Sequence, residues 1–308
     1  MADVYIVSGF LGAGKTTWIQ KMLTEAFEGR KVALIENDFG KVSVDAAVLK
    51  QLGVSVTEIN SGCICCSLNG DFTDAVSQIQ KDFHPEILII EPSGVGKLSD
   101  VVQAVKATGV KQDIRIAGSI TIVDAKRFRL YMENFGEFFE DQIGHADVIL
   151  FSRGQDAKEQ AEALRLAVKA HNGHAAVFDM PWDTLTAKEV LSRLPGGTLF
   201  PAGGEEPPHD EECEEHHHHA AEEVFDSFTL PFEKAFAPGE LEACFARMEA
   251  AGDSVIRAKG IVRGKGAWWQ VQYVPGEVRI TPAQTAGGMI TFIGRGMDER
   301  EITGIFKK

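Results

Sequence analysis

Apolar runs alternate with amphipathic stretches along the chain up to residue 195. Seven of the runs have the β-branched, apolar character of buried strands: 4–7, 32–36, 56–59, 87–91, 116–123, 148–151 and 175–178. Helical patterns occupy residues 17–27, 71–83, 98–108, 135–145 and 156–171. This alternation predicts an α/β domain, with a mainly parallel sheet covered by helices on both faces. Ligands are then expected beyond the carboxyl ends of the strands.

After residue 195 the pattern changes to Gly, Pro, acidic residues and histidines, which cannot bury a core. Further along we expect strands at 224–230, 254–262, 268–274, 278–281 and 289–293, and helices at 239–251 and 298–306. The sequence therefore predicts three parts: an α/β domain over residues 1–200, an acidic His-rich linker over 201–223, and a smaller C-terminal α+β domain over 224–308.

A glycine-rich loop, Gly-Phe-Leu-Gly-Ala-Gly-Lys-Thr at 9–16, joins the first strand to the first helix. This spacing between a strand and a helix is typical of a phosphate-binding loop, whose backbone N–H groups cradle phosphate oxygens. Lys15 is expected to reach the β- and γ-phosphates, and the Thr16 hydroxyl to ligate Mg²⁺. The alternative is a glycine-rich turn that happens to contain a lysine. Because every fixed position of the motif is present, the sequence predicts nucleotide binding.

Two predicted strands end in a carboxylate. Glu36 opens the run Glu-Asn-Asp-Phe-Gly, and Glu91 opens Glu-Pro-Ser-Gly. Glu36 and Asp38 are expected to hold Mg²⁺ directly or through water, to orient an attacking water, or to complete a metal site. Glu91 is expected near the Mg²⁺ ion, with the Gly94 N–H available to the γ-phosphate. The structural alternatives are a polar turn after the strand that ends in Glu36, and a solvent-exposed glutamate at the end of the strand that ends in Glu91.

Three cysteines, Cys63, Cys65 and Cys66, crowd into four positions. Thiolates are soft ligands that favour Zn²⁺, Cu⁺ and similar ions, and three of them leave one tetrahedral position open. An open position suits metal transfer better than a permanent structural role. The alternatives are small buried apolar residues and a redox-active thiol group. The spacing favours metal binding.

These motifs, over residues 9–17, 36–40, 62–66 and 91–94, resemble the CobW-like family of GTP-dependent metallochaperones. That family is related to the GTPases that deliver nickel to urease and hydrogenase. The likeness extends to the family's C-terminal domain in Arg-Ala-Lys-Gly at 257–260 and Phe-Ile-Gly at 292–294. The resemblance implies GTP hydrolysis linked to the transfer of Zn²⁺ or Co²⁺ from the cysteines. We expect a client metalloprotein to dock on the C-terminal domain.

The chain departs from the family where a strand usually ends in Asn-Lys-x-Asp to bind guanine, because residues 152–155 read Ser-Arg-Gly-Gln. An aspartate accepts from both the N1 and N2 protons of guanine, whereas Gln155 has one accepting oxygen and a donating amide. Asp156 could accept these guanine protons instead if the loop after Ser152 shifts by one residue. ATP therefore stays an alternative to GTP.

The motifs together give one predicted set of site residues. The catalytic residues are Lys15, Glu36, Asp38 and Glu91. The nucleotide is held by Gly9, Gly12, Ala13, Gly14, Lys15, Thr16, Thr17, Gly94, Ser152, Gln155 and Asp156. Mg²⁺ is held by Thr16 and Glu91, and the transition metal by Cys63, Cys65 and Cys66.

The net charge and the cysteine content indicate which classes of partner and which cellular compartment to expect. The formal net charge is −14, and an acidic chain without a basic stripe repels nucleic acid. We see no basic amphipathic helix, signal peptide or membrane span, so no membrane partner is expected. Crowded cysteines fit a reducing compartment, which predicts a cytoplasmic protein.

A His-rich segment lies at residues 209–219 and contains His216, His217, His218 and His219. Consecutive imidazoles beside carboxylates are expected to capture transition metals with low specificity, although the same residues also fit a solvated acidic linker. Two other functions stay open. One is a phosphate-loop kinase or ligase with a structural zinc, and the other is a His-rich metal buffer.

Overall fold

The computed structural model describes residues 1–36, 55–58, 71–109, 114–154, 161–196, 224–252, 254–283 and 285–307. They form an N-terminal unit, up to residue 196, and a C-terminal unit, from residue 224. The strands of the N-terminal unit are β1 (Ala2–Gly9), β2 (Val32–Glu36), β3 (Ser55–Glu58), β4 (Ile87–Glu91), β5 (Ile114–Asp124), β6 (Val148–Ser152) and β7 (Ala176–Phe178). Its helices are α1 (Lys15–Glu25), α2 (Asp71–Phe83), α3 (Leu98–Gly109), α4 (Phe128–Gly144), α5 (Ala161–His171) and α6 (Ala187–Leu191).

The seven strands of the N-terminal unit make one parallel sheet in the order β3-β2-β4-β1-β5-β6-β7. Side chains alternate across β1, so Val4 and Ile6 join one apolar core and Tyr5 and Val7 join another. The first core includes residues of α2 to α5, and the second includes residues of α1 and α6. The predicted parallel sheet with helices on both faces is confirmed.

The C-terminal unit contains β8 (Asp226–Pro231), α7 (Pro238–Ala251), β9 (Val255–Arg263), β10 (Trp268–Val274), β11 (Glu277–Ala283), β12 (Met289–Gly294) and α8 (Glu299–Lys307). Its strands form an antiparallel sheet in the order β11-β10-β9-β12-β8. Apolar residues of α7 and α8, such as Phe245 and Phe306, share one core with the sheet. The predicted α+β architecture is confirmed, while the limits of the linker stay a prediction because residues 197–223 lie outside the described part.

Helices α4 and α6 differ most from the sequence prediction. Helix α4 begins at Phe128 rather than at residue 135, and non-helical angles at Phe135 (φ −138°, ψ 29°) divide it. The buried positions Phe128, Tyr131 and Phe135 keep a helical spacing up to the break, so the first half of α4 carried the same signal and the predicted start at residue 135 was wrong. Helix α6 was not predicted, because its five residues are too few for a periodic signal. A capping box between Thr186 and Glu189 begins α6, and this pair is the sequence feature that could have predicted the helix.

An aromatic cluster joins the two units. Phe225, which directly precedes β8, is 3% exposed and packs against rings of the N-terminal unit. Its ring centroid lies 6.3 Å from that of Phe10, 5.4 Å from that of Phe135 and 5.3 Å from that of Phe138. Because Phe10 belongs to the glycine-rich loop, the C-terminal unit is packed close to that loop.

No helix in the described part of the chain is long and apolar enough to cross a bilayer.

Replacing Phe225 with alanine should lower the free energy of unfolding by about 3–5 kcal/mol, because it empties a buried aromatic site. Urea unfolding followed by circular dichroism measures the change. Leu166→Ala, at an apolar side chain that is 64% exposed on α5, is the control and should change stability by less than about 0.5 kcal/mol. Equal stability of the two variants would contradict the packing role of Phe225.

Candidate nucleotide-binding site

The glycine-rich loop runs from the end of β1 to the start of α1. Gly14 caps α1 with left-handed angles (φ 111°, ψ 20°) that disfavour any side chain, and no side chain caps the helix. Such a helix start offers backbone N–H groups to an anion. Lys15 is 7% exposed, and its Nζ donates to the Gly9 carbonyl oxygen at 3.0 Å. The Lys15 ammonium group therefore lies against the glycine-rich loop, where it is predicted to bind phosphate.

Two further glycines are required by close backbone contacts. A Cβ at Gly9 would lie 2.5 Å from the Ile122 carbonyl oxygen, and the φ of Gly9 is +142°. A Cβ at Gly94 would lie 2.7 Å from Leu11 Cδ2 and 2.9 Å from the Leu11 nitrogen. Real Cβ atoms do not approach so closely, so the segment after β4 fits tightly against the glycine-rich loop only with glycine at position 94. This contact brings Gly94 to the predicted phosphate site.

The two predicted acidic strand ends lie side by side. Glu36 of β2 and Glu91 of β4 are paired in the parallel register, and they are 3% and 7% exposed. Thr16 Oγ1 donates to Glu91 Oε2 at 3.5 Å. A hydroxyl beside carboxylates offers the hard oxygen ligands that Mg²⁺ prefers. The residues present therefore fit the ion that the sequence predicts.

Helix α4 holds the segment that follows β4, which the sequence analysis did not foresee. The buried Gln142 donates from Nε2 to the carbonyl oxygens of Gly94, at 3.2 Å, and Gly96, at 2.8 Å. Next to it, Asp141 accepts hydrogen bonds from the N–H and the hydroxyl of Ser99 at 3.1 and 2.6 Å. Burial raises the pKa of Asp141, but hydrogen bonds from His145 and Ser99 outweigh it and leave the pKa below its usual value.

On the opposite side of the loop, Ser152 ends β6 and Arg153 follows it with φ 55°, a left-handed value that is unusual without glycine. Arg153 Nη1 donates to the Gly12 carbonyl oxygen at 3.2 Å and to Asp124 Oδ2 at 2.7 Å. Arg127 Nη1 donates to the same Asp124 oxygen at 2.8 Å. Asp124, the last residue of β5, is 1% exposed. Its buried carboxylate thus lies between two guanidinium groups.

Trp182, which was not predicted as a site residue, follows β7 and lies beside the glycine-rich loop. A Cβ at Gly14 would lie 3.2 Å from Cη2 of Trp182. Trp182 Nε1 donates to the Phe151 carbonyl oxygen at 3.0 Å, and its ring lies 5.3 Å from that of Trp18. The signal was its position just beyond the carboxyl end of a strand, where ligands gather in such sheets.

The structure brings several of the predicted residues to one edge of the sheet: Gly9, Gly12, Ala13, Gly14, Lys15, Thr16, Thr17, Glu36, Glu91, Gly94 and Ser152. The others lie outside the described residues: Asp38, Cys63, Cys65, Cys66, Gln155, Asp156, His216, His217, His218 and His219. Within the described ranges, no group of three or more His, Cys, Asp or Glu side chains is placed to hold a metal ion. The predicted transition-metal site stays a prediction.

Replacing Gln142 with leucine should lower the free energy of unfolding by about 1–3 kcal/mol, because two buried carbonyl groups lose this donor. Thermal or urea unfolding measures the loss. Asn134→Leu is the matched control, since the exposed Asn134 also donates to a carbonyl from α4, at 2.8 Å. The control should differ from the wild type by less than about 0.5 kcal/mol. A Gln142 variant as stable as this control would refute its role in holding the segment.

Comparison with known proteins assigns the chain to a family. The model described as CobW/HypB/UreG, nucleotide-binding domain matches residues 3–179. The model described as Cobalamin synthesis protein cobW C-terminal domain matches residues 225–308. The first match alone takes in more than half of the chain.

The relatives that match the chain include zinc chaperones. The zinc chaperone CobW of Sinorhizobium sp is 32% identical over 176 residues, covering 48% of this chain and 49% of that protein. The zinc chaperone YjiA of Escherichia coli strain K12 is 33% identical over 181 residues, covering 57% of this chain and 56% of that protein. The chain thus matches about half the length of each relative. The crystal structure of Zn(II)-bound YjiA GTPase from E. coli aligns with 99% of this chain and 98% of that one, at 22% identity and a TM-score of 0.49. On the strength of the family models, the chain belongs to the CobW/HypB/UreG family.

Proposed function

We propose that the protein is a GTP-dependent metallochaperone. It binds GTP with Mg²⁺ at the glycine-rich loop, holds Zn²⁺ or Co²⁺ as cargo at Cys63, Cys65 and Cys66, and couples GTP hydrolysis to delivery of the metal to a client metalloprotein. The observation that carries this proposal is that the strands leading to the acidic and cysteine motifs end at the same edge of the sheet as the glycine-rich loop.

The strand register supports the proximity of the nucleotide and metal sites. Glu36 of β2 is paired with Glu58 of β3 on one side and with Glu91 of β4 on the other. The chain therefore leaves β2, β3 and β4 at one level. Cys63 comes five residues after Glu58 in the sequence, so the intervening chain spans at most roughly 18 Å. This tether supports communication between the cysteines and the γ-phosphate.

The nucleotide chemistry follows from the loop geometry. The start of α1 and the Lys15 ammonium bind phosphate oxygens. Thr16 and Glu91 hold Mg²⁺, which neutralises phosphate charge when bound. Glu36 and Asp38 position the attacking water, and Gly94 offers its N–H to the γ-phosphate. Release of the γ-phosphate frees the segments after β2 and β4, and this change alters the nearby thiolate site.

The base is assigned as guanine on the strength of the family. Ser152, Gln155 and Asp156 contact it in this proposal, and Arg153 takes the place of the usual lysine. Competition between ATP and labelled GTP tests the assignment, since equal displacement by both nucleotides would leave ATP as the alternative.

The zinc chaperones among the relatives favour Zn²⁺ over Co²⁺ as cargo. The client docks on the C-terminal unit, and a reducing cytoplasm keeps the thiolates free.

Purified wild-type protein should release phosphate from GTP at a rate that responds to Zn²⁺ or Co²⁺. Lys15→Ala should abolish the release, because the β- and γ-phosphates lose their ammonium group. Cys65→Ala should keep nucleotide binding but weaken metal binding at least about tenfold, and hydrolysis should no longer respond to metal. Phosphate release with added metal or with chelator measures each effect.

Cys244→Ala is the matched control, because that cysteine is buried in the core of the C-terminal unit. It should keep the metal response of the wild type. Hydrolysis that ignores both metal and Cys65 would make the cysteines structural and would favour a kinase-like enzyme. A cellular metal phenotype that Lys15→Ala leaves unchanged would favour a metal buffer.

Deleting residues 209–219 should lower the number of bound metal ions, because the consecutive imidazoles contribute low-specificity ligands. Equilibrium dialysis followed by elemental analysis measures the stoichiometry. A Gly-Ser segment of the same length is the control for linker length and should bind as little metal as the deletion. Unchanged stoichiometry in both variants would refute the capture role.

A further inference from the structure

We propose that the turn between β10 and β11 of the C-terminal unit is a positioning element of the nucleotide site, and that Val274 and Glu277 set nucleotide affinity through the glycine-rich loop. The inference rests on the proposed nucleotide binding at that loop. It assigns to the C-terminal unit a role in nucleotide binding, in addition to docking a client.

Val274 lies directly on the loop backbone. A Cβ at Gly12 would be 2.5 Å from Val274 Cγ1, and Gly12 has a φ of +71°. Val274, the last residue of β10, is 8% exposed. The loop and the turn therefore fit together only because position 12 has no side chain. Any movement of the turn changes the surroundings of the loop.

The next residues of the turn bind two arginines of the N-terminal unit. Arg127 Nε donates to the Pro275 carbonyl oxygen at 3.0 Å, and its Nη2 donates to Glu277 Oε2 at 3.2 Å. Arg153 Nε lies 3.5 Å from the same Glu277 oxygen. Each guanidinium thus lies between the carboxylates of Asp124 and Glu277.

Glu277 also accepts a hydrogen bond from Arg279 Nη2 at 3.4 Å, so the cluster contains three guanidinium groups and two carboxylates. Burial raises the pKa of Glu277, but the nearby Arg153 and Arg127 outweigh it and hold the pKa below its usual value. Glu277 is therefore ionised at neutral pH. Its removal would leave Arg127 and Arg153 dependent on Asp124 alone within this cluster.

The turn is itself held in place by the C-terminal unit. Glu249, in the last turn of α7, accepts hydrogen bonds from the Gly276 N–H and from the Tyr273 hydroxyl, the latter at 3.2 Å. Gly276 adopts a φ of +75°, which favours glycine. A turn anchored in this way transmits the position of the C-terminal unit to the loop.

Arg153 connects the turn to the nucleotide. It holds the Gly12 carbonyl oxygen in the phosphate loop, and it lies in the segment predicted to contact the base. Its left-handed backbone persists because the surrounding contacts fix it. Docking of the turn therefore favours the arrangement of loop and base segment that binds nucleotide. By reciprocal linkage, bound nucleotide strengthens the docking.

Glu277→Gln keeps the shape of the side chain and removes its charge. We expect its dissociation constants for GTP and GDP to rise about tenfold, with a matching rise in KM and little change in kcat. Val274→Ala should weaken binding in the same direction without altering charge. Titration with fluorescent nucleotide and steady-state kinetics measure both variants, with melting temperature as the check on folding.

Glu240→Gln is the matched control, because Glu240 is also a partly exposed carboxylate of the C-terminal unit, paired with Lys234 at 2.9 Å at the other end of α7. It should bind nucleotide like the wild type. If Glu277→Gln and Val274→Ala also bind like the wild type, the coupling is refuted while nucleotide binding stands. A wild type that binds neither GTP nor ATP would instead refute the proposed function.

Hydrogen exchange gives an independent readout in the wild-type protein. Saturating GTP should slow exchange at the turn over residues 274–277, and this slowing should be smaller in Glu277→Gln. Exchange at the turn that does not respond to bound nucleotide would overturn the reciprocal coupling.

Discussion

A buried carboxylate must be paired, and Asp124 shows how much of the architecture this requirement fixes. Asp124 ends β5 and is 1% exposed, and its charge is balanced by Arg127 and Arg153. Breaking such a buried pair costs about 3–5 kcal/mol, so the arginines are held firmly in place. Arg153 holds the carbonyl oxygen of Gly12, and Arg127 holds the C-terminal unit. One charge thus fixes the loop, the end of β6 and the second unit relative to one another.

Much of the fold could be predicted because its elements follow local patterns. The parallel strands are apolar runs, and α2 (Asp71–Phe83) and β10 (Trp268–Val274) have the predicted limits. The five-residue α6 was missed because its local pattern is weak. The start of α4 was predicted too late, although its buried positions keep a helical spacing through Phe135. The contacts between the units were beyond prediction, since Arg127 and Glu277 are separated by 150 residues in the sequence.

The candidate site divides in the same way. Lys15, Thr16 and Glu91 were predictable because a phosphate loop and a parallel sheet place them together. Gln142 was not, because its role depends on which backbone groups the folded chain brings to it. Trp182 had one signal, its position just beyond the carboxyl end of β7, but its hydrogen bond to the Phe151 carbonyl depends on the folded chain. The cysteine and histidine motifs lie outside the described residues, so their geometry stays a prediction from chemistry and spacing.

The anchoring of the chain on both sides of the His-rich segment has a consequence for evolution. Before the segment, the Gly196 N–H donates to the Ala117 carbonyl oxygen at 2.8 Å. After it, Phe225 is buried against Phe10 and Phe138. Both ends are therefore held by residues of the N-terminal unit, and lengthening the chain between two fixed ends costs little free energy. Histidines can be gained or lost between these points while the geometry between the glycine-rich loop and the C-terminal unit is preserved, so the proposed metal capture can adapt to supply independently of the proposed nucleotide switch.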